Sequence, residues 1–281
     1  MNAHQLIAAL YHEPALITPA AHASIRHLLE SRFGLLGLDA DGEAAQRAPG
    51  EGICGEKVEV EQPLVTAEGI AIIPVNGALG QGLKPFERGN GAVDTLDIRA
   101  ELAEFDADPN VRAAILDIDS PGGMVLGTPE TSQAIQEFSK PIYAFSRGLI
   151  ASAAYWLAAS TNGIFTTPSA NVGSIGTVVT YHDLSGMAEK KGIKVEVIRS
   201  GKYKGMGTPG TSLSAEQRAH LQERVDIITR QFKAHVRARR GEGVSDDVMQ
   251  GQVLLAEEAK DAGLIDGIVR DRAAVERMLA P

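Results

Sequence analysis

Val111-Arg-Ala-Ala-Ile-Leu-Asp-Ile118, followed at once by Asp119-Ser-Pro-Gly-Gly123, decides the fold class. The first run is short, apolar and closed by turn residues, as expected of a strand buried within a sheet. Thr128 to Phe138 then takes up the spacing of an amphipathic helix. A buried strand, a tight glycine turn and a helix in that order form the repeating unit of an α/β protein.

The same alternation extends outward. Upstream, the β-branched run Ile70–Val75 follows Gly69 and reads as a strand, and Asp94–Phe105 has helical spacing at Leu96, Ile98, Leu102 and Phe105. Between them, Gln81–Gly91 is rich in glycine and mixed charge and reads as a mobile loop over a site. Downstream, Pro141–Phe145 is a strand and Ser152–Ala159 a helix apolar on every side, which belongs in the interior. Strands are expected at Gly163–Thr166, Gly176–Tyr181 and Lys194–Arg199, with a helix at Leu184–Lys191. A long helix from Ala215 to Arg240 has Ser214 as its cap. Ala256–Ala262 and the strand-like Leu264–Val269 close the domain.

The expected organisation is a helical leader at 1–38, a linker at 39–68 and a catalytic domain at 69–281. Within the leader, helices are expected at 4–11 and 19–32, with Pro14 and Pro19 marking the turn between them. The linker is rich in glycine, alanine and acids without a sustained apolar period.

Composition removes several classes. The 281 residues carry a formal charge of −9, which argues against a nucleic-acid surface built on clustered Lys and Arg. Cys54 is the single cysteine, so no internal disulfide forms and no cysteine-based zinc site is expected. The apolar patch near the N-terminus is broken by His12, Glu13 and Pro14 and is too short for a signal peptide or a membrane span. A cytoplasmic protein is the expectation.

Three segments could carry chemistry. Gly122 and Gly123 lie at the carboxyl end of a strand, where α/β sheets place ligands. There bare backbone can approach a substrate, and N–H groups can meet a developing oxyanion; a simple tight turn would look the same. Ser152 opens an apolar helix between small residues, an arrangement that suits a nucleophile or an ordinary helix cap. A serine nucleophile needs a base. Of seven histidines, His4, His12, His22 and His27 fall in the leader, His220 and His235 on the long helix, and only His182 follows a core strand. No Gly-x-Ser-x-Gly elbow is present, so a Ser-His-Asp triad is disfavoured. Lysine can replace histidine if burial lowers its pKa. Lys202 and Lys204, in Ser200-Gly-Lys-Tyr-Lys204, are the candidates, although most lysines are solvated surface charges.

These segments resemble, in order, the signal peptide peptidase A family. The family shows Asp-Ser-Pro-Gly-Gly, a serine before Gly/Ala-Gly/Ala-Tyr, a Gly-Ser-x-Gly turn and Ser-Gly-x-x-Lys. This chain has Asp119–Gly123, Ser152-Ala-Ala-Tyr155, Gly173-Ser-Ile-Gly176 and Ser200–Lys204. The resemblance covers roughly residues 69 to 270 and implies a Clp/crotonase-like fold of repeated β-β-α units. It implies a serine endopeptidase with Ser152 as nucleophile, Lys204 as base and Ser174 holding the lysine amine. The N–H of Gly123, with that of Ala153 or Ser152, would form the oxyanion hole, and Gly122 would border the substrate. It implies a protein or peptide substrate, a homo-oligomer, and no cofactor or metal. Where many relatives have Ser-Gly-Gly-Tyr this chain has Ser-Ala-Ala-Tyr, which narrows the space beside the nucleophile.

The leader, with Pro14, Ala15, Leu16 and Pro19 before a helix, is similar to that of the phage capsid-associated protease C group. That similarity implies portal or scaffold proteins as partners and a virion-associated role. Three alternatives remain. One is a cytoplasmic peptidase degrading signal peptides. Another is a crotonase-type acyl-CoA enzyme recruiting Glu130 or Asp119, which leaves Ser152, Ser174 and Lys204 unexplained. The third is a capsid-assembly protein without catalysis.

Overall fold

The computed structural model describes residues 15–17 and 62–279. In chain order, a short strand β1 (Ala15–Ile17) precedes β2 (Leu64–Val65) and the core strand β3 (Ile70–Asn76). Then come β4 (Leu79–Gly80), α1 (Pro85–Gly89), β5 (Val93–Asp94) and α2 (Thr95–Ala107). The next units are β6 (Ala113–Asp119), β7 (Gly122–Met124) and α3 (Thr128–Glu137), then β8 (Ile142–Ser146), β9 (Leu149–Ala151) and α4 (Ala153–Ala159). They are followed by β10 (Gly163–Thr166) and β11 (Asn171–Gly173), α5 (Ser185–Lys190) and the long α6 (Ala215–Arg240). Last are β12 (Val253–Leu255), α7 (Ala256–Asp261), β13 (Gly267–Ile268) and α8 (Arg272–Leu279).

A long strand, a sharp turn, a short strand and a helix thus recur, giving the expected β-β-α units. The long strands assemble in the order β13-β10-β8-β6-β3-β2, all parallel except the β2–β3 pair. Such strands are covered on both faces, and Ile70 to Ile73 and Ala113 to Ile118 are buried along their length. The short strands make two smaller sheets, β1-β7-β4-β5 and β12-β11-β9. The parallel long strands therefore end at a seam of short strands, and this seam carries the site.

Helix α4 is fully interior, as its all-round apolar sequence requires. Tyr155 is buried and its hydroxyl donates to the Leu264 carbonyl at 2.9 Å. Trp156 stacks between α4 and α6, with its ring 4.8 Å from that of Phe232 and 5.5 Å from that of His235. Burial holds the His235 imidazole down at about 4 from its ordinary 6.5. Below pH 6.5 the unfolded chain therefore binds a proton that the folded chain refuses, and stability is lost as pH falls toward 4. In thermal melts from pH 7 to 4.5, His235→Gln should show a shallower decline than wild type.

The structure departs from sequence expectation in five segments. Gln81–Gly91 is not an open loop. Residues 85–89 form α1, and the buried Asp94 carboxylate accepts from the N–H groups of Gly82 and Leu83 at 3.0 and 2.7 Å and from Arg88. Among the described residues, Gly176–Tyr181 and Lys194–Arg199 join none of the three sheets, and Ile198 is 99% exposed; apolar alternation alone supplies no neighbouring strand. Ala15–Ile17, read as part of a turn between helices, is a strand paired with β7. Leu64–Val65, within the expected linker, pairs with β3. The helices expected at 4–11 and 19–32 lie outside the described residues.

Candidate active site

The glycine turn after β6 is shaped by Ser120. Its hydroxyl donates to the Gly77 carbonyl at 2.6 Å and accepts from the N–H of Gly122 at 3.2 Å. Its backbone N–H donates to the Leu149 carbonyl at 2.8 Å, and its carbonyl accepts from the N–H of Ala151 at 3.1 Å. The turn is thereby fastened to β9, the strand that ends at the nucleophile candidate. Gly123 packs against β4 so closely that an added Cβ would lie 2.0 Å from the Leu79 carbonyl oxygen. Glycine is required there by contact, while Gly122 is required by its φ of 94°. The turn in the sequence was legible; the bolting role of Ser120 was not.

Ser152 stands between β9 and α4 with φ 56° and ψ −120°. That combination lies outside the left-handed region ordinary residues visit, and residues so placed cost about 1–3 kcal/mol and cluster at functional sites. The strain is imposed from both sides: the Ser152 N–H donates to the Gly173 carbonyl at 2.8 Å, and its carbonyl accepts from Trp156 N–H at 3.0 Å. Ser152 thus makes a sharp strand-to-helix turn, shaped like a nucleophile elbow but without the Gly-x-Ser-x-Gly sequence. Ala151, Ala153 and Ala154 are the small residues that allow it.

β9 and β11 run parallel with Ala151 opposite Gly173, so Ser152 and Ser174 follow as the next residues of neighbouring strands. Ser174 also has positive φ, 52°, and its N–H donates to the Gln252 carbonyl at 2.7 Å. Both serines are buried, 1% and 4% exposed. The Ser152 N–H is spent on the Gly173 carbonyl, whereas the N–H of Ala153, at the first turn of α4, has no helical acceptor.

Lys204 lies in the segment that precedes α6. It is exposed, and among the described residues no hydrogen bond joins it to Ser152 or Ser174. Its neighbour Lys202 is engaged on the surface, 3.0 Å from Glu216, with the Tyr203 ring stacked on His220. Gln217, which closes the capping box of α6 with Ser214, also donates to the Lys202 carbonyl at 3.2 Å. The Ser200–Lys204 segment is therefore hinged on the start of α6 while its apolar neighbours Ile193 and Ile198 face outward.

A cavity of about 790 Å³ lies elsewhere, bordered by Asn76, Ile98, Glu101, Asp119 and Arg147 and not by either serine. Glu101 is pushed up to about 7 there by burial and by the charge of Glu104. The described residues that border the cavity include no serine, threonine, cysteine or lysine. Among the described residues, no cluster of acids, histidines or cysteine could hold a metal, and no helix is long and apolar enough to cross a membrane.

A strained serine on a strand-to-helix turn, a second serine beside it and a bare glycine edge are the parts of a serine hydrolase site. The chain belongs to Peptidase family S49, whose profile matches residues 134–280; the match includes Ser152, Ser174 and Lys204. Within this family it is similar to the capsid assembly protease C of Escherichia phage lambda, 29% identical over 99% of this chain and 65% of that protein. It is 30% identical to the head-tail preconnector protein GP5 of Enterobacteria phage P21, over 99% of this chain and 57% of that protein. The likeness to a signal peptide peptidase SppA of Enterococcus faecium, so named as putative, is 27% over 63% of this chain and 53% of that protein. Among solved structures, an enoyl-CoA hydratase/isomerase family member aligns with TM-score 0.48 and 17% identity, over 78% of this chain and 76% of that one.

Proposed function

We propose that the chain is a serine endopeptidase in which Ser152 is the nucleophile and Lys204 the general base. The observation that carries this is the strained, buried Ser152 at the strand-to-helix turn, set beside Ser174 by the β9–β11 register. The neutral amine of Lys204 would take the Ser152 proton as Oγ bonds to the peptide carbonyl carbon. The N–H groups of Gly123 and Ala153 would hold the oxyanion. Collapse would break the C–N bond, the lysine returning its proton to the leaving amine, and water would then hydrolyse the acyl-enzyme by the same route. Gly122 would border the substrate, and Ser174 would orient the lysine amine.

General-base work asks for a lysine shielded from water, and Lys204 is exposed in the single chain. Assembly of a homo-oligomer that covers the apolar residues around Lys204 would supply the burial. The alignments spanning 99% of the chain with two phage head proteins support a role in processing scaffold or portal-associated protein during head assembly. Action in the cytoplasm and within the assembling particle belongs to the same proposal.

The test is intact mass spectrometry after a fluorophosphonate probe. Wild type should gain one adduct on Ser152, while Ser152→Ala and Lys204→Ala should gain none. Equal labelling of Lys204→Ala and wild type would remove the lysine from the mechanism.

A further inference from the structure

The strand β7 carries Gly122 and Gly123 and has two edges. One pairs with β4, Leu79 opposite Gly123. The other is occupied by β1, antiparallel, with Ala15 opposite Met124, Leu16 opposite Gly123 and Ile17 opposite Gly122. β1 is the outermost strand of that sheet. The edge it fills lies beside the serine: α4, which begins one residue after Ser152, packs on β7, and Ser120 bolts the start of β7 to β9.

An extended peptide binds a sheet edge through main-chain hydrogen bonds, largely independent of its side chains. The Gly122-Gly123 edge is bare backbone of this kind. Resting on the peptidase reading above, we infer that this edge is where substrate backbone is held and that Ala15–Ile17 is its resident occupant. The segment is a pseudo-substrate: it places Leu16 opposite the proposed oxyanion donor, and a substrate must displace it before reaching Ser152. Its sequence suits a short plug of fixed register. Glu13-Pro14-Ala-Leu-Ile-Thr-Pro19 has a proline on each side, and proline has no N–H to donate to a ladder.

The test uses the full chain with Cys54→Ala, which removes the single native cysteine, and adds Ala15→Cys with Met124→Cys. Residues directly opposite in an antiparallel pair have Cα atoms roughly 4.5–5.5 Å apart, within the span of a disulfide. Mild oxidation should form the intramolecular link. The linked protein should lose labelling of Ser152 by a tripeptide phosphonate ester, recover it on reduction, and keep its labelling by a small non-peptidic fluorophosphonate throughout. In the unlinked chain, Leu16→Pro should speed tripeptide labelling on the order of tenfold, because the occupied fraction of the edge falls, and Leu16→Ala should not.

Absence of the link, or equal tripeptide labelling in linked and reduced protein, would overturn the inference while leaving labelled wild type as an active peptidase. A link that forms in a protein no probe labels would sink the peptidase reading, and the inhibitory role with it. Cleavage of the wild-type chain between Leu16 and Thr18, absent in Ser152→Ala, would make the segment a substrate rather than a blocker.

Discussion

Ser152→Ala is expected to lower kcat/KM on a peptide substrate by on the order of 10³- to 10⁶-fold, the range seen when an acyl-transfer nucleophile is removed. Lys204→Ala should fall in the same range, and the double variant should be little worse than either, since in the proposed mechanism the two groups act as one unit. Lys204→Arg should not rescue, because a guanidinium does not give up its proton at working pH. Lys202→Ala should stay within a few-fold of wild type, its ammonium being held by Glu216 at the surface. Ser152→Gly adds an independent check on the strain. It should be as inactive as the alanine variant yet more stable by about 1–3 kcal/mol, because glycine adopts φ 56° without cost. Denaturant melts of the two variants measure that difference directly.

The second large effect is expected at Gly123. Gly123→Ala would put a methyl group 2.0 Å from the Leu79 carbonyl oxygen and 2.6 Å from its nitrogen. Backbone cannot retreat as a flexible side chain can, so β4 and β7 must part. Loss of the properly aimed N–H should cost on the order of 10²- to 10³-fold in kcat, accompanied by a drop in melting temperature. A variant that melts lower but keeps full kcat would take Gly123 out of the oxyanion hole.

Much of this was legible from the chain alone. Strands whose apolar residues are contiguous and bounded by glycine, such as Ile70–Asn76 and Ala113–Asp119, announce themselves because burial on both faces demands that composition. The helix Ala153–Ala159 did so for the same reason. Ser152, Ser174 and Gly123 were picked out by sequence, and the register of β9 with β11 brings the two serines side by side. What sequence could not show was the short-strand layer. Pieces of two or three residues such as Leu79–Gly80 carry no period, and their existence depends on partners distant in the chain. Lys194–Arg199 failed in the opposite sense, having strand composition but no partner strand among the described residues. The pairing of Ala15–Ile17 with Gly122–Met124 joins residues more than a hundred positions apart, and no local signal specifies such a contact.

That pairing has a consequence in time. A chain grows from its N-terminal side, so Ala15–Ile17 leaves the ribosome before Gly122–Met124, these before Ser152, and Lys204 later still. The strand that covers the edge is thus synthesised before the edge, and both are synthesised before the proposed nucleophile and base. On the inference above, the growing chain's own strand is the first polypeptide offered to this edge.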